Sequence, residues 1–307
     1  MIFIEEDINE GLTIIIPSKT EKFLEHTIRD VLAKADGPIE IFPILDGYDV
    51  PKEEFVDDPR VTYIKMEPTR HTKKRHGINL AVSKSQYKFV MSLDAHCMMA
   101  EGFDTILKRD WQEKWVLIPR RHRLDAENWC LQIQSDTRPP IDYEYILWHG
   151  LTDNGKALHG FKWDARTKAN WDIPIDDTLA FQGSCWFMSK HWFNERGFMN
   201  HERYTGWGQE AEEISMETWL NGGAVKTDKN TWYAHLHKGQ KYGRMYWMSR
   251  DENRQSYYAS FNRWVCEYND FFIELIKKFA PLPKWPKNWE ERLRKMKDTK
   301  KGPENLE

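Results

Sequence analysis

Short apolar strands alternate with amphipathic helices in the first hundred residues, and this alternation constrains the fold more than any other feature. Apolar positions at helical spacing predict helices over residues 21–35 and 72–83. The predicted strands share an apolar, often β-branched run, and they cover residues 11–17, 39–45, 61–64 and 87–93. Strands and helices in this order form a largely parallel sheet with helices on its faces. The sequence therefore predicts an α/β fold.

Polar residues follow three of these strands at their carboxyl ends. They are Pro17-Ser18, Asp46-Gly47 and Asp94-Ala95-His96. Ligands of parallel sheets bind beyond these strand ends, so the three could line one crevice. In extended backbone, residues i and i+2 point the same way, so Asp94 and His96 can converge on a divalent cation that suits manganese better than calcium. Taken alone, the Asp-x-His pattern is also consistent with polar residues that simply contact water.

Charge is almost balanced over the 307 residues, with a net value of −3, which does not indicate a general nucleic-acid binder. Basic side chains are nevertheless clustered. No acidic residue occurs from Pro68 to Leu93, and a second basic cluster covers residues 120–123. Because the first cluster directly precedes Asp94, we expect an anionic ligand beside the cation. A solvated basic face is the alternative.

Targeting signals and cysteine usage bear on the compartment. No apolar run approaches the ~20 residues needed to span a bilayer, and the apolar start Met1–Ile4 is followed at once by acidic residues. The four cysteines are widely separated, which predicts reduced thiols. We expect a cytoplasmic protein with no membrane association, and a bacterial or viral origin fits this expectation.

Two motifs carry a family resemblance over residues 13–242. The first is Leu93–Cys97 (LDAHC), and the second is Trp207–Ser215 (WGQEAEEIS), followed by Trp219, Gly222-Gly223 and His235. Together they resemble the GT-A nucleotide-sugar glycosyltransferases, and among them the polypeptide N-acetylgalactosaminyltransferases. That family has an Asp-x-His metal motif, a Trp-Gly-Gly-Glu motif, a Glu-Ile-Ser helix and a later metal-binding histidine. Gln209 departs from it by replacing the second glycine.

The resemblance implies a set of site residues. Asp94, His96 and His235 are expected to hold Mn²⁺ or Mg²⁺, which binds the diphosphate of a UDP-sugar donor. Glu210 is expected to face the donor sugar or the acceptor hydroxyl, and Trp207 to wall the sugar site. The remaining expected contacts are to the base or nucleoside (Pro17, Ser18, Asp46) and to the diphosphate (Arg75, Lys238, Lys241, Tyr242).

The resemblance also implies a domain plan and a reaction. Residues 1–242 are expected to form the GT-A domain, with a nucleotide-binding half (1–100) and an acceptor and catalytic half (101–242). Helical spacing predicts a helical C-terminal extension over 243–307. The expected activity is transfer of a sugar to an acceptor hydroxyl of a glycan or polypeptide, with retention of configuration.

Three other readings stay open. The same chemistry can act on a hydroxymethylated base of viral DNA, which the basic clusters and the many aromatic residues favour. A non-catalytic sugar-nucleotide-binding protein is the second alternative, although the joint presence of Asp94, His96, Glu210 and His235 argues against it. A hydrolase with Glu210 and Glu213 as paired carboxylates is the third.

Overall fold

The computed structural model describes residues 10–68, 73–132, 138–152, 157–243 and 249–300. Within them, a ten-stranded sheet and a two-stranded sheet are surrounded by helices. The strands are β1 (Leu12–Ser18), β2 (Ile39–Asp46), β3 (Ile64–Met66), β4 (Phe89–Leu93), β5 (Cys97–Met99), β6 (Trp115–Asp125), β7 (Cys130–Leu131), β8 (Glu144–Ile146), β9 (Gly160–Lys162), β10 (Ile175–Asp177), β11 (Cys185–Ser189) and β12 (Ala224–His235).

The helices frame the sheet and continue beyond it to the end of the described chain. A short 3₁₀ helix (Lys52–Glu54) and a π-helical segment (Asn262–Glu267) accompany them. The α-helices are α1 (Leu24–Lys34), α2 (Lys74–Lys84), α3 (Phe103–Asp110), α4 (Trp148–Thr152), α5 (Asp164–Ala169), α6 (Lys190–Arg196), α7 (Glu210–Leu220), α8 (Gly239–Tyr242), α9 (Arg250–Phe261), α10 (Asn269–Phe279) and α11 (Trp289–Met296).

The large sheet has the strand order β10-β12-β6-β11-β4-β1-β2-β3, with β5 paired to β12 and β7 to β6. Strands β3, β2, β1 and β4 are parallel, as are β6 and β12. Strand β11 is antiparallel to both neighbours and joins the two parallel groups. The prediction of an α/β fold with a mostly parallel central sheet flanked by helices is confirmed.

The two faces of the sheet are covered by different helices. In β1, Leu12, Ile14 and Ile16 point to the face that packs against α1 and α3, and Ile15 points to the face of α2, α6 and α7. This alternation follows from the two-residue period of a strand. The sheet is therefore buried on both sides, and its carboxyl-terminal edge is where polar residues reach a cavity.

The C-terminal helices pack on one large aromatic cluster. Phe261, Trp264, Phe272 and Leu293 share this cluster with Tyr143 and other residues of the segment between β7 and β11. The predicted helical extension is thus helical in the described residues 249–300. The extension shares this core with residues of the preceding part of the chain, and its status as a separate unit stays a prediction. None of the described helices combines the length and apolarity needed to span a bilayer.

Several element boundaries differ from the expectation. The third strand lies at Ile64–Met66 instead of 61–64. Strand β12 runs without a break over twelve residues, because a β-bulge between Asp228 and Trp232 keeps the backbone in the ladder. The expected start of the second helix, Thr72, lies outside the described residues.

Candidate active site

A cavity of about 850 Å³ opens at the carboxyl ends of β1, β2 and β4. Nine of the twelve residues proposed from the sequence line it. They are Pro17, Ser18, Asp46, Asp94, His96, Trp207, Glu210, His235 and Lys238. The cavity therefore combines side chains from both halves of the chain, which is the arrangement expected for ligands bound beyond the strand ends of such a sheet.

Asp94, His96 and His235 converge at one side of this cavity. One ligand atom from each lies within 4.8 Å of those of the other two. The Nε2 atoms of His96 and His235 are 3.1 Å apart, and His235 Nε2 is 3.5 Å from Asp94 Oδ2. The predicted convergence of these three residues is confirmed.

Hydrogen bonding of the backbone sets this convergence. Asp94-Ala95-His96 is the short connection from β4 to β5, and the Asp94 N–H donates to the Ser184 carbonyl at 2.8 Å. Strand β5 is antiparallel to the end of β12, where Cys97 pairs with His235, and the Leu236 N–H donates to the His96 carbonyl. The ladder thus holds both histidines side by side although they are distant in sequence.

The ionisation of His235 and Asp94 fits a divalent transition metal. Burial lowers the pKa of His235 to about 4, so its imidazole is neutral, and its Nδ1 is buried with no hydrogen-bond partner among the described residues. Burial by itself raises the pKa of Asp94, but the Lys74 charge and the His235 contact outweigh it and hold the pKa well below its ordinary value. Two imidazoles and one carboxylate are a donor set for manganese and related ions.

Glu21 supports His96 from behind. Its Oε2 lies 3.4 Å from His96 Nδ1, and its other oxygen accepts from Lys238 Nζ at 2.6 Å. A carboxylate on the far nitrogen of a metal-binding histidine fixes its tautomer and orientation. Burial raises the pKa of Glu21, but His96 and Lys238 together lower it below the ordinary value. The sequence predicted Glu21 only as the first residue of a helix, so its contact with His96 was not predicted.

Lys74 links the group formed by Asp94, His96 and His235 to Glu210. Its Nζ is 3.2 Å from Asp94 Oδ1 and 2.9 Å from Glu210 Oε2. Burial raises the pKa of Glu210, and the Lys74 charge opposes that shift. Gly183 leaves room for this carboxylate, because a Cβ there would lie 3.2 Å from Glu210 Oε2. Gly183 therefore packs against a candidate catalytic side chain.

The residues expected to contact the nucleoside line the other side of the cavity. Asp46 accepts from the Lys73 N–H at 2.9 Å and pairs with Lys19 Nζ at 3.2 Å. Ser18 shares a short hydrogen bond with the Tyr48 hydroxyl. Burial raises the pKa of Tyr48 to about 12, so its hydroxyl stays protonated.

Three residues proposed as phosphate contacts do not line the cavity. Arg75 is 1% exposed and forms an ion pair with Glu213, and its Nη2 donates to the Gly208 carbonyl at 2.7 Å. Arg75 points into the core beneath the loop that carries Trp207 and Gly208 (the tryptophan loop), and its neighbour Lys74 reaches the cavity instead. The other two residues lie on α8. Lys241 forms an ion pair with the exposed Glu127, and the Tyr242 ring packs on Phe23. Glu213 is likewise engaged by Arg75 and is not a free partner for Glu210.

Comparison with known proteins finds one matching family and two similar proteins. The sequence model of glycosyl transferase family 2 matches residues 13–196. A putative polypeptide N-acetylgalactosaminyltransferase 13 of Drosophila melanogaster is 29% identical over 154 residues, which are 48% of this chain and 25% of that protein. A crystal structure of GalNAc-T7 with UDP, GalNAc and Mn²⁺ superposes with a TM-score of 0.63 at 16% identity, over 93% of this chain and 54% of that one.

These matches differ in what they establish. The superposition shows a common GT-A fold, since its identity is low, and the chain spans only a quarter to about half of the length of these two relatives. The family match covers more than half of the chain and includes β1, β4 and the Asp94-Ala95-His96 connection. The chain therefore belongs to glycosyl transferase family 2.

Proposed function

We propose that this protein is a metal-dependent glycosyltransferase that moves a sugar from a UDP-sugar to an acceptor hydroxyl. The observation that supports this most directly is the convergence of Asp94, His96 and His235 on the cavity that Glu210 also lines. The UDP and Mn²⁺ bound by the structurally similar GalNAc-T7 support the choice of donor and metal. On this proposal, residues 1–100 supply the donor half of the site and residues 101–242 the acceptor half.

Asp94, His96 and His235 would hold Mn²⁺ or Mg²⁺. The bound ion supplies positive charge that stabilises the departing diphosphate. Lys74 lies beside Asp94 and is placed to add a second positive charge to the leaving group, and Lys238 could add a third by exchanging its Glu21 partner for a phosphate oxygen. Asp46 and Ser18 would bind the nucleoside, and Trp207 would cover the sugar.

The reaction breaks the bond between the anomeric carbon and the diphosphate oxygen, and UDP leaves with the electron pair. The acceptor oxygen then bonds to the anomeric carbon and gives up its proton. We propose retention, in which the departing diphosphate takes that proton and the Glu210 carboxylate stabilises the positive sugar from within its Lys74 pair. In an inverting reaction Glu210 would instead accept the proton as general base.

A donor panel tests this function. We expect the protein with Mn²⁺ to turn over one member of a set of nucleoside-diphosphate sugars, measured as released nucleotide. Chelation and His96→Ala should each abolish that turnover. Turnover that is indifferent to both would contradict the metal assignment. The Glu210→Gln and Glu213→Gln variants test the hydrolase alternative. Hydrolysis that each of these two variants abolishes would favour it.

A second candidate acts on a modified base of DNA, and Arg123 is the observation that favours it. In the ladder between β6 and β12, Arg123 stands opposite His235, so both side chains lie on one face of the sheet. Its Nε is buried and has no hydrogen-bond partner among the described residues, and within that part of the chain its guanidinium forms no ion pair. Burial and the nearby charges of Arg138 and Arg121 lower the pKa of Arg123. A guanidinium without an ion-pair partner is suited to bind a phosphate group.

DNA binding distinguishes this candidate from a glycan or polypeptide acceptor. We expect, if it is correct, that a duplex with hydroxymethylated pyrimidines binds with strong salt dependence. Arg123→Met should then reduce the slope of log affinity against log salt by about 1. A duplex that shows no binding at low salt removes the candidate.

A further inference from the structure

The cavity has a second group of lining residues that the donor chemistry does not use. Glu144, Gly160, Gln209, Glu212 and Tyr257 all line it. The Gly160 N–H donates to Glu212 Oε1 at 3.3 Å, and a Cβ on Gly160 would lie 2.7 Å from Glu144 Oε2. The missing side chain at position 160 thus lets two carboxyl groups approach the same backbone segment.

The charges of this group differ from those of the donor side. Three of the four lysines that line the cavity are ion-paired there with acidic residues: Lys19 with Asp46, Lys74 with Asp94 and Glu210, and Lys238 with Glu21. In the second group, Glu144 is neutralised by Arg121 at 2.6 Å, but Glu212 forms no ion pair with any described residue. A second anion would therefore meet an uncompensated carboxyl group here.

Gln209 provides an independent sign that a ligand binds here. It adopts a left-handed backbone conformation with φ of 59°, which costs a non-glycine residue about 1–2 kcal/mol. Its side chain is 6% exposed, and its Nε2 donates to the Leu158 carbonyl at 2.8 Å. Its Oε1 is buried and has no hydrogen-bond partner among the described residues. Strain together with an unused acceptor is typical of a binding position.

We propose that Glu144, Gln209, Glu212 and Tyr257 form the acceptor subsite, and that it takes an uncharged, hydroxyl-rich acceptor such as a glycoside. Glu212 and Gln209 accept hydrogen bonds from its hydroxyl groups, and the half-buried Tyr257 ring packs on its apolar face. This inference rests on the proposed transfer reaction and names its substrate class. It also gives the C-terminal helices a role, because Tyr257 belongs to α9.

Electrostatics near neutral pH agree with this assignment. Burial, with added repulsion from Glu144 and Glu210, raises the pKa of Glu212 to about 7. Its carboxyl group is therefore present in both protonation states and can both donate to and accept from a hydroxyl group. Burial and the charge of Glu212 also raise the pKa of the Tyr257 hydroxyl.

The test uses matched acceptors with the UDP-sugar that the wild-type protein turns over. Methyl hexosides and their 6-phosphates are supplied in parallel, and glycosylated products are quantified by mass spectrometry. We expect the neutral glycosides to be used at least about tenfold better than the phosphates, because a phosphate would face the unpaired Glu212. Equal use of both, or use of neither, overturns the inference.

Two variants locate the effect. Glu212→Gln keeps an oxygen for the Gly160 N–H but removes the charge, and Tyr257→Leu removes the aromatic ring. Each should raise the acceptor KM about tenfold, the first through loss of a hydrogen bond to a charged group and the second through loss of the packing surface. The Kd of UDP with Mn²⁺, measured by calorimetry, should be unchanged in both. Tyr258→Leu, outside the cavity on the same helix, should change neither quantity. Unchanged acceptor KM in both variants contradicts the proposal.

The same calorimetry separates this inference from the proposed function. A wild-type protein that fails to bind UDP with Mn²⁺ would disprove the donor and metal assignment itself. A protein that binds UDP with Mn²⁺ but shows no preference for neutral acceptors would leave that assignment in place and remove only the acceptor subsite.

Discussion

The imidazoles of His96 and His235 face each other through their Nε2 atoms at 3.1 Å, although 139 positions separate them in the chain. Glu21 lies behind His96, and Asp94 lies beside His235. One of these nitrogens can donate its proton to the lone pair of the other, provided that the two rings adopt different tautomers. Exchange of that hydrogen bond for a metal ion bound by both rings and by Asp94 would explain why these side chains face one another.

Removal of one histidine tests that explanation. His235→Ala should weaken Mn²⁺ binding by at least about 100-fold, since even supporting residues around a metal contribute about 10–100-fold. Isothermal calorimetry or the manganese EPR signal measures the affinity directly, without any substrate. His191→Ala removes an exposed imidazole and serves as the control. Equal affinity in the two variants would show that the metal binds elsewhere.

Lys74 is expected to matter for transfer more than for the metal. Lys74→Met removes the charge next to Asp94 and Glu210, so kcat should fall by about 10²–10³, as for loss of one preorganised electrostatic contact. Mn²⁺ affinity should stay the same or increase, because a competing cation next to Asp94 is gone. Lys84→Met, at the exposed end of α2, is the matched control. A kcat close to that of the control would exclude a catalytic role.

The buried pair of Arg75 and Glu213 is expected to stabilise the tryptophan loop. Arg75→Met leaves the Glu213 carboxylate buried and unpaired, so the free energy of unfolding should fall by about 3–5 kcal/mol. The double variant with Glu213→Leu should recover most of this loss. Urea denaturation of both, and of the exposed pair Arg29–Glu25 as a surface control, measures the coupling. Additive losses in the buried pair would contradict it.

Asp228 predicts a pH dependence of stability. It is fully buried at the bulge of β12, and burial raises its pKa to about 7. Ionisation is then easier in the unfolded chain, where the pKa is about 4, so this group lowers the free energy of unfolding as pH rises from about 4 to about 7. Asp228→Asn cannot ionise and keeps the oxygen that accepts from the Asn230 N–H.

Denaturation at two pH values checks this sign. At pH 8 the Asp228→Asn variant should be more stable than the wild type by on the order of 2–4 kcal/mol, and the difference should vanish near pH 4. The exposed Asp172→Asn serves as the control at both values. A variant that is less stable at pH 8 would show that the carboxylate is stabilised in the folded state.

Sequence periodicity was sufficient to predict the fold class and which residues lie at the ends of the strands. Apolar runs followed by Asp46 and Asp94 placed both side chains at one edge of the sheet, and the cavity lies there. The convergence of His235 required more, because no local pattern indicates that β12 pairs with β5. It came from the resemblance to the N-acetylgalactosaminyltransferases, and the backbone ladder explains it.

Adjacent residues were harder to assign. Lys74 and Arg75 are equally basic, and only the phase of α2 decides that Lys74 reaches the cavity while Arg75 packs under Gly208. The phase of a helix cannot be set to within one residue when its first turn is polar. Glu21 was missed for another reason, because its partners His96 and Lys238 are distant in sequence and a helix start alone accounts for an acidic residue.

The bulge in β12 divides this strand into two parts that tolerate change differently. Between Asp228 and Trp232 the register already shifts, so an insertion there can be absorbed as a larger loop. After Trp232 the strand is clamped between β5 and β6, and a slip of one residue would turn His235 away from Asp94. Length variation among homologues, and grafting of this edge into other scaffolds, should therefore stop at residue 232.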